Sequence, residues 1–377
     1  MIQITDKHKC CGCSSCVQAC PKQCIDFKED EHGFKYPVVD TENCVNCHLC
    51  ESVCPCLNQD DFRIPKNTYA VINSNEATRS NSSSGGVFAL LSENVIEAGG
   101  VVFGAKYDED WQVKHDYTET KECLRFFQGS KYVQSDIGNT YKMACDFLKA
   151  NRMVLYSGTP CQIAGLRKYL RKDYPNLIAV EVVCHGVPSP AVWRSYLLQI
   201  NPQKKKITEI NLRSKKRGWK HYSYLLKAGK DILVDEYAYE SGYLQGFSLN
   251  LTLRPSCYSC PAKGLKSGAD ITLADCWGVE TKPEIPNDDM GISAVLLNTP
   301  KGQDFFERIN VKCYDLDYGF IKSYNPSIVS SPQEPYCRKL FWRLFPQYGI
   351  NAVSIVSKKL THNPFFRLCN LILTNIN

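Results

Sequence analysis

The sequence predicts two modules: a small α+β domain at the N-terminus, then a larger α/β domain with a mixed, largely parallel sheet. Three observations carry this. Cysteine is packed into the first 57 residues at a repeated spacing. A polar, proline-containing stretch, NQDDFRIPKN (Asn58 to Asn67), follows without periodicity and reads as a linker. Beyond it, apolar runs of strand length alternate with helical patterns, as in a sheet built from βαβ units. The division expected is 1–57, linker 58–67, body 68–320 and C-terminal extension 321–377.

In the first module, CCGCSSCVQACPKQC puts six cysteines between Cys10 and Cys24. Such density can mean a disulfide-stapled secreted domain. The opening MIQITDKHKC has neither the apolar run nor the cleavage site of a leader, so a cytoplasmic location with free or metal-bound thiols is expected. Cys10, Cys13, Cys16 and Cys20 before Pro21 read C-x2-C-x2-C-x3-C-P, and Cys44, Cys47, Cys50 and Cys54 before Pro55 repeat it. This is the bacterial two-cluster ferredoxin spacing, in which three close thiolates hold one cubane and the fourth crosses to the other. One 4Fe–4S cluster is expected on Cys10, Cys13, Cys16 and Cys54, the second on Cys44, Cys47, Cys50 and Cys20. Tetrahedral zinc would leave a cysteine of each run surplus. Cys11, Cys24 and Cys56 fall outside the pattern, as small buried residues beside a cluster.

A ferredoxin needs no more than this, so the remaining chain must use the electrons. Composition is that of a globular protein, 44% apolar and 22% charged, and no apolar run approaches the ~20 residues that span a bilayer. Residues 1–60 carry five Lys against nine Asp/Glu, so the net charge of +6 divides as −4 and +10. A basic body can thus hold an acidic module or an anionic ligand, although a solvated basic surface accounts for it equally.

In the body, SNSSSGG leads into a helix whose Val87, Leu90, Leu91 and Val95 share a face and which ends at Gly99 and Gly100. VVFGAKY reads as a strand. A helix over Ile137 to Ala150, a strand over Met153 to Tyr156, a helix over Gln162 to Leu170, a strand over Leu177 to Val183 and a helix over Val192 to Ile200 follow. Ser82, Ser83 and Ser84 before Gly85 and Gly86, at a helix start, suit a phosphate or are a capped turn. Cys161 lies where a strand gives way to a helix, Cys184 ends an apolar strand, and Cys257 and Cys260 form a C-x2-C. From spacing these four are a third cluster, a structural zinc or unconnected thiols.

SSSGGVFALL, FQGSKYVQS, SGTPCQIAGLRKYL, VEVVCHGVPSP, RPSCYSCPAK and ADITLADCWG, in this order, resemble the coenzyme F420 hydrogenase/dehydrogenase beta-subunit family. The resemblance covers roughly Thr68 to Leu316. It implies FAD beside a 4Fe–4S cluster on Cys161, Cys184, Cys257 and Cys260. It also implies a flavin-phosphate role for Ser83, Ser84, Gly85 and Gly86, and places Gly129, Ser130, Lys131 and Tyr132 by the flavin. Lys131 can hold a pyrophosphate or put positive charge near the ring, and His185 can relay a proton or simply pack. Asp275 matches an acidic position of the family, whereas Cys276 matches no ligand.

The expected function is an FAD-dependent iron–sulfur oxidoreductase linking a redox partner protein or small donor to a small organic substrate. That substrate is F420 or another acceptor, a sugar of polysaccharide biosynthesis included. A non-catalytic electron-transfer subunit is the other class. Lys204 to Lys206 and the run Ser214 to Lys220, with Arg213 and Trp219, read as a solvated face or a grip on an anionic substrate. No module accompanies them that would indicate nucleic acid. The tail NPFFRLCNLILTNIN, near Lys358, Lys359 and Arg367, is too short to span a membrane and is expected to pack on the body.

Overall fold

The structure is a computed structural model that describes residues 1–362; the tail from Asn363 lies outside the described residues. In the first module β1 (Ile25–Glu29) pairs antiparallel with β2 (Lys35–Val39), Ile25 opposite Val39, and two short helices, Ser15–Ala19 and Leu49–Ser52, each follow a cysteine loop. Ser14 and His48, one residue before these helices, both take positive φ (67° and 57°), so the two loops turn alike.

The body is built on an eight-stranded sheet. Its members are β3 (Asn67–Val71), β4 (Val101–Tyr107), β5 (Val113–Thr118), β6 (Val154–Gly158) and β7 (Leu177–Val182), then, after a second sheet, three more. That second sheet is three-stranded and antiparallel: β8 (Glu209–Ser214), β9 (Ser223–Ala228) and β10 (Asp231–Tyr237). The main sheet is completed by β11 (Ile271–Asp275), β12 (Ser293–Leu297) and β13 (Cys313–Asp315), in the order β13-β3-β12-β11-β7-β6-β4-β5. Strands β4, β6, β7 and β11 are mutually parallel and form its centre. The outer pairings are antiparallel, leaving five of eight strands pointing one way.

Both faces of the centre are covered, as its largely apolar, buried strands require. Val87, Leu91 and Val95 of the helix Val87–Glu97, with Phe305 and Phe306, pack on Val102, Leu155, Ile178 and Ile271. On the other face Tyr141, Ala144 and Leu148, with Ile163 and Leu166, pack on Val101, Phe103, Val154 and Leu177. The helices Thr140–Lys149, Pro160–Leu170 and Pro190–Ile200 fall where the sequence puts them, within three residues at each end. A separate core joins the helix Pro190–Ile200, the second sheet and the C-terminal helices Arg338–Tyr348 and Asn351–His362 to Phe34 and Tyr36 of the first module.

Packing, more than charge, docks the first module on the body. Ser15 Oγ donates to the Gly165 carbonyl at 2.8 Å, and a Cβ on Gly165 would lie 2.8 Å from Cys13 Cβ. Gln18 Oε1 accepts from the backbone N–H groups of Tyr141 and Lys142 at the start of the body helix. The ring of His32 stacks on Trp342 at 3.9 Å, while Ser189 Oγ donates to the His32 carbonyl. The ion pairs across the junction run in both senses, Glu29 with Arg194 but Lys35 with Asp136, so the charge asymmetry does not organise it. Such partly exposed pairs are worth at most ~1 kcal/mol each. The stretch 58–67 is tied to the body, with Asp60 paired to Lys168 at 2.7 Å and Arg63 N–H bonded to the Gly264 carbonyl.

Candidate functional site

Twenty cysteines are described, all free thiols, and twelve gather in three groups. Cys20, Cys44, Cys47 and Cys50 line a single open cavity of about 350 Å³, with Cys24 beside them and Cys24 Sγ 3.5 Å from Cys20 Sγ. Cys47 is exposed at its rim. Cys10, Cys13, Cys16 and Cys54 are each buried further in, and Cys16 interacts electrostatically with Cys10, Cys13 and Cys50, so it lies between the two groups. Cys56 meets Cys54. The fourth cysteine of each run thus reaches the other run's group, as the spacing predicts.

The third group is on the body. Cys161 opens the helix after β6, in a turn closed by a capping box between Thr159 and Gln162. Cys184 follows β7. Both therefore stand at the carboxyl ends of adjacent parallel strands, where open α/β sheets collect ligands. The 3-10 turn Pro255–Ser259 brings Cys257 and Cys260 to the same place, and all four line one cavity of about 400 Å³. The Val187 N–H donates to Cys257 Sγ at 3.4 Å, and Cys260 N–H to Ser331 Oγ at 3.0 Å. Lys263 puts a buried ammonium at the rim, on the carbonyls of Cys184 and Ser327. Four thiols on one cavity, with N–H and cation neighbours, can hold a cubane or a single tetrahedral metal.

His185 lines this cavity, its Nε2 2.6 Å from Asn250 Oδ1, and burial pushes its pKa below the ordinary value. Cys276 is buried in a separate apolar core with Val279, Ile285 and Ile292, away from all three groups.

The serine-glycine turn and the GSKY segment meet. Ser83 Oγ accepts from Ser130 N–H at 2.7 Å and lies 2.9 Å from Ser130 Oγ, linking motifs 47 residues apart. Ser84 Oγ donates to the Ile292 carbonyl, and Gly85 lies so close to Val71 that a Cβ would stand 2.4 Å from its carbonyl oxygen. Gly86, at φ +83°, precedes the helix Val87–Glu97 with no side-chain cap on its first N–H groups. The space beside Gly129 is open. Lys131 donates to the carbonyls of Gln128 and Gly129, and burial pushes its pKa down to about 7. Tyr132, at φ 45°, packs on Phe247.

The basic run divides in a way its composition hides. Lys216, Arg217 and Lys220 are exposed, as is the Lys204 to Lys206 run. Arg213, Lys215 and Trp219 are buried, which corrects the solvated-face expectation for them. Lys215 donates to the carbonyls of Arg79, Ser84 and Met290, locking the serine turn, because a lysine buried without carboxylates must spend its three donors on carbonyls. Arg213 donates to Asp275 at 2.7 Å, leaving its Nε and Nη2 without partners, and stacks near Tyr222 and Trp277. Trp219 stacks on Trp277 at 4.5 Å. Arg254, Gln134 and Lys263 are site neighbours that sequence reasoning did not single out; Arg254 stands in the RPSC stretch, three residues before a predicted ligand.

A two-run cysteine module docked on an α/β body with a third thiol site at its strand ends defines an iron–sulfur protein of the electron-transfer, oxidoreductase type. Residues 9–58 match the 4Fe-4S dicluster domain, and residues 151–315 match the family described as the C terminus of the coenzyme F420 hydrogenase/dehydrogenase beta subunit. This chain therefore carries a 4Fe–4S dicluster domain joined to the C-terminal domain of the coenzyme F420 hydrogenase/dehydrogenase beta-subunit family.

Among curated relatives, an uncharacterized ferredoxin of Methanocaldococcus jannaschii is 44% identical over 52 residues, 14% of this chain and 66% of that protein. An uncharacterized protein of the same archaeon is 25% identical over 202 residues, 45% of this chain and 55% of its own. The ferredoxin 7Fe of Hydrogenibacillus schlegelii is 34% identical over 64 residues, 16% and 74% respectively. The chain thus spans between about half and two thirds of the length of the first two. A solved chain of the F420-reducing NiFe hydrogenase complex from Methanosarcina barkeri is matched with TM-score 0.47 and 15% identity, over 81% of this chain and 96% of that one. Among the described residues no helix is long and apolar enough to cross a membrane.

Proposed function

We propose that this chain is an FAD-dependent oxidoreductase that passes electrons between a one-electron redox partner and a two-electron organic substrate, F420 or another small acceptor. The observation that carries it is the convergence of Cys161, Cys184, Cys257 and Cys260 on one cavity directly beside the buried group of the dicluster domain. In this reading Cys44, Cys47, Cys50 and Cys20 hold the outer cluster, Cys10, Cys13, Cys16 and Cys54 the inner one, and the four body cysteines a third. The dicluster domain ends near residue 57, 58–67 is the linker, and the oxidoreductase body extends to about 320.

The flavin assignment is supported by an uncapped helix start, two serine hydroxyls at Ser83 and Ser130, and open space at Gly129, which together suit a phosphate. Ser84, Gly85 and Gly86 shape that turn, and Tyr132 follows Lys131 on the neighbouring segment. When bound, FAD would accept or give two electrons at once and exchange them singly with clusters. Lys131 is the candidate catalytic amine, near neutral pKa and two residues from Gly129; His185, at the cavity of the four body cysteines, is the candidate proton relay. Asp275, at the carboxyl end of β11, and Arg213 of β8, which donates to it, are candidate polar groups for orienting a substrate.

Anaerobic purification with iron, sulfide and flavin quantitation tests this. About twelve irons and twelve sulfides per chain are expected, four of each per cubane, together with one FAD. Folded, reconstituted protein that stops near eight irons and holds no flavin would reduce the chain to a dicluster electron carrier.

A further inference from the structure

We infer that Cys11 and Arg254 form the junction through which the inner ferredoxin cluster and the body's cysteine site exchange electrons, Arg254 being the positioning residue. The inference rests on the reading above that both sites carry cubanes.

Cys11 follows Cys10 directly and shares its neighbours Cys13 and Cys56, but of the two only Cys11 lines the body's cysteine cavity. Cys10 is buried beside Cys13 and Cys56. The Cys11 thiol has Cys161 as well as Cys13 and Cys56 as neighbours, and it lines the body cavity together with Cys161. One peptide bond therefore separates a proposed ligand of the inner cluster from a thiol that shares a cavity with the proposed ligands of the third. In transfer, one electron leaves the reduced cluster and enters the oxidised one; no bond breaks and Cys11 stays a thiol.

Arg254 fixes this approach. It is 1% exposed, lines the same cavity and sits three residues before Cys257. Its Nε donates to the Cys10 carbonyl at 2.7 Å, Nη2 to the Lys35 carbonyl at 2.9 Å and toward Cys10 Sγ at 3.6 Å, and Nη1 to Gln134 Oε1 at 3.0 Å. Gln134 Nε2 in turn donates to the Cys11 carbonyl at 3.2 Å. The guanidinium lies over Tyr36 at 4.3 Å, and at Gly12, φ +71°, a Cβ would come within 2.8 Å of Nη1. The sequence has left room for this side chain.

No carboxylate pairs with Arg254 among the described residues. An uncompensated buried cation is strongly destabilising. A cubane on four thiolates is net negative, so clusters on either side supply the counter-charge, and cluster potentials respond to nearby charge and to hydrogen bonds on the sulfurs. A positive charge here favours the reduced, more negative state of both neighbours.

The test uses the full chain, purified anaerobically, as wild type, Cys11→Ala, Arg254→Lys and Arg254→Leu. Iron is counted first, then cluster potentials are read by redox titration followed by EPR, and intramolecular transfer by stopped flow with reduced viologen. Cys11→Ala is expected to keep its iron while transfer from the inner to the third cluster slows several-fold. Arg254→Leu is expected to shift the midpoint of one or both clusters to lower potential. Arg254→Lys, which keeps the charge but not the three-way fork, is expected to shift it less, and it serves in place of the leucine variant should that not fold. Unmoved potentials and unchanged transfer in variants with a full iron complement overturn this inference alone. Wild-type protein stopping near eight irons overturns the three-cluster reading, and the inference falls with it.

Discussion

Ser15 Oγ donates to the carbonyl of Gly165 at 2.8 Å, so the helix after the first cysteine loop is tied to the helix that Cys161 opens. The contact depends on a missing side chain. Gly165→Val would drive a Cβ to 2.8 Å from both Cys13 Cβ and Ser15 Oγ and 2.9 Å from Tyr141 Oη. Overpacking of this kind costs about 1–3 kcal/mol, more than the few tenths the helix gains from losing a glycine. Thermal unfolding of the holoprotein should show a lower midpoint; an unchanged one would mean the modules do not dock here.

Cys24 and Cys56 stand beside the outer and inner groups without completing either spacing. Each changed to Ala should leave the iron content of the dicluster domain and its EPR signals as in wild type. Loss of one cluster from Cys56→Ala would reassign the ligand now given to Cys54.

The outer cluster is the proposed entry point for electrons. Cys47→Ala with Cys50→Ala should abolish reduction of the flavin by reduced ferredoxin or viologen while sparing FAD content and direct reduction by a two-electron donor, since a hydride needs no cubane. Stopped-flow traces of the flavin band that keep the wild-type one-electron rate would show a route around the dicluster domain.

Ser83 holds the GSKY segment through its bonds to Ser130. Ser83→Ala removes the acceptor for Ser130 N–H and should cost about 1–3 kcal/mol where that donor is left unmet, seen as a lower FAD content after dialysis. Full retention of flavin would move the phosphate site elsewhere.

His115 is buried, its Nε2–H donating to the Ser157 carbonyl at 3.0 Å and its Nδ1 accepting from Ser135 Oγ at 2.5 Å, and burial pushes its pKa down to about 4. Unfolded, it titrates near 6.5. Below that pH the unfolded chain takes up a proton that the folded one refuses until about pH 4, so stability falls as pH drops through this window. Between pH 7 and 5 wild type should lose on the order of 2 kcal/mol more than His115→Gln in denaturant unfolding. Parallel losses in the two proteins would refute a neutral buried imidazole.

Much of this was legible before any coordinates. Thiol spacing is local, so the grouping of Cys10 to Cys54 could be read from the chain alone, and the strand ends near Cys161 and Cys184 followed from the short, mostly apolar runs of β6 and β7. Arg254 was not legible as a bridge, because its partners lie 120 to 244 residues away and no local pattern announces them. The second sheet was missed for a related reason: it lies past Ile200 in a basic stretch, and β9 is buried along nearly its whole length and so shows no alternation. Composition likewise misled at Lys215, which is followed by the exposed Lys216 and Arg217 while its own ammonium closes on three carbonyls.

The exposure of Cys47 at the rim of the outer cavity, against the burial of Cys10, Cys13 and Cys16, grades the cubanes by their access to dissolved oxygen. Air should strip the outermost first, leaving a chain still docked but, on the proposed function, with its flavin cut off from its electron supply. Such a protein behaves as a fuse. Brief aeration is then expected to silence one-electron traffic while iron further in persists, and supplying iron and sulfide should restore the connection without refolding; simultaneous loss of all the iron would contradict that order.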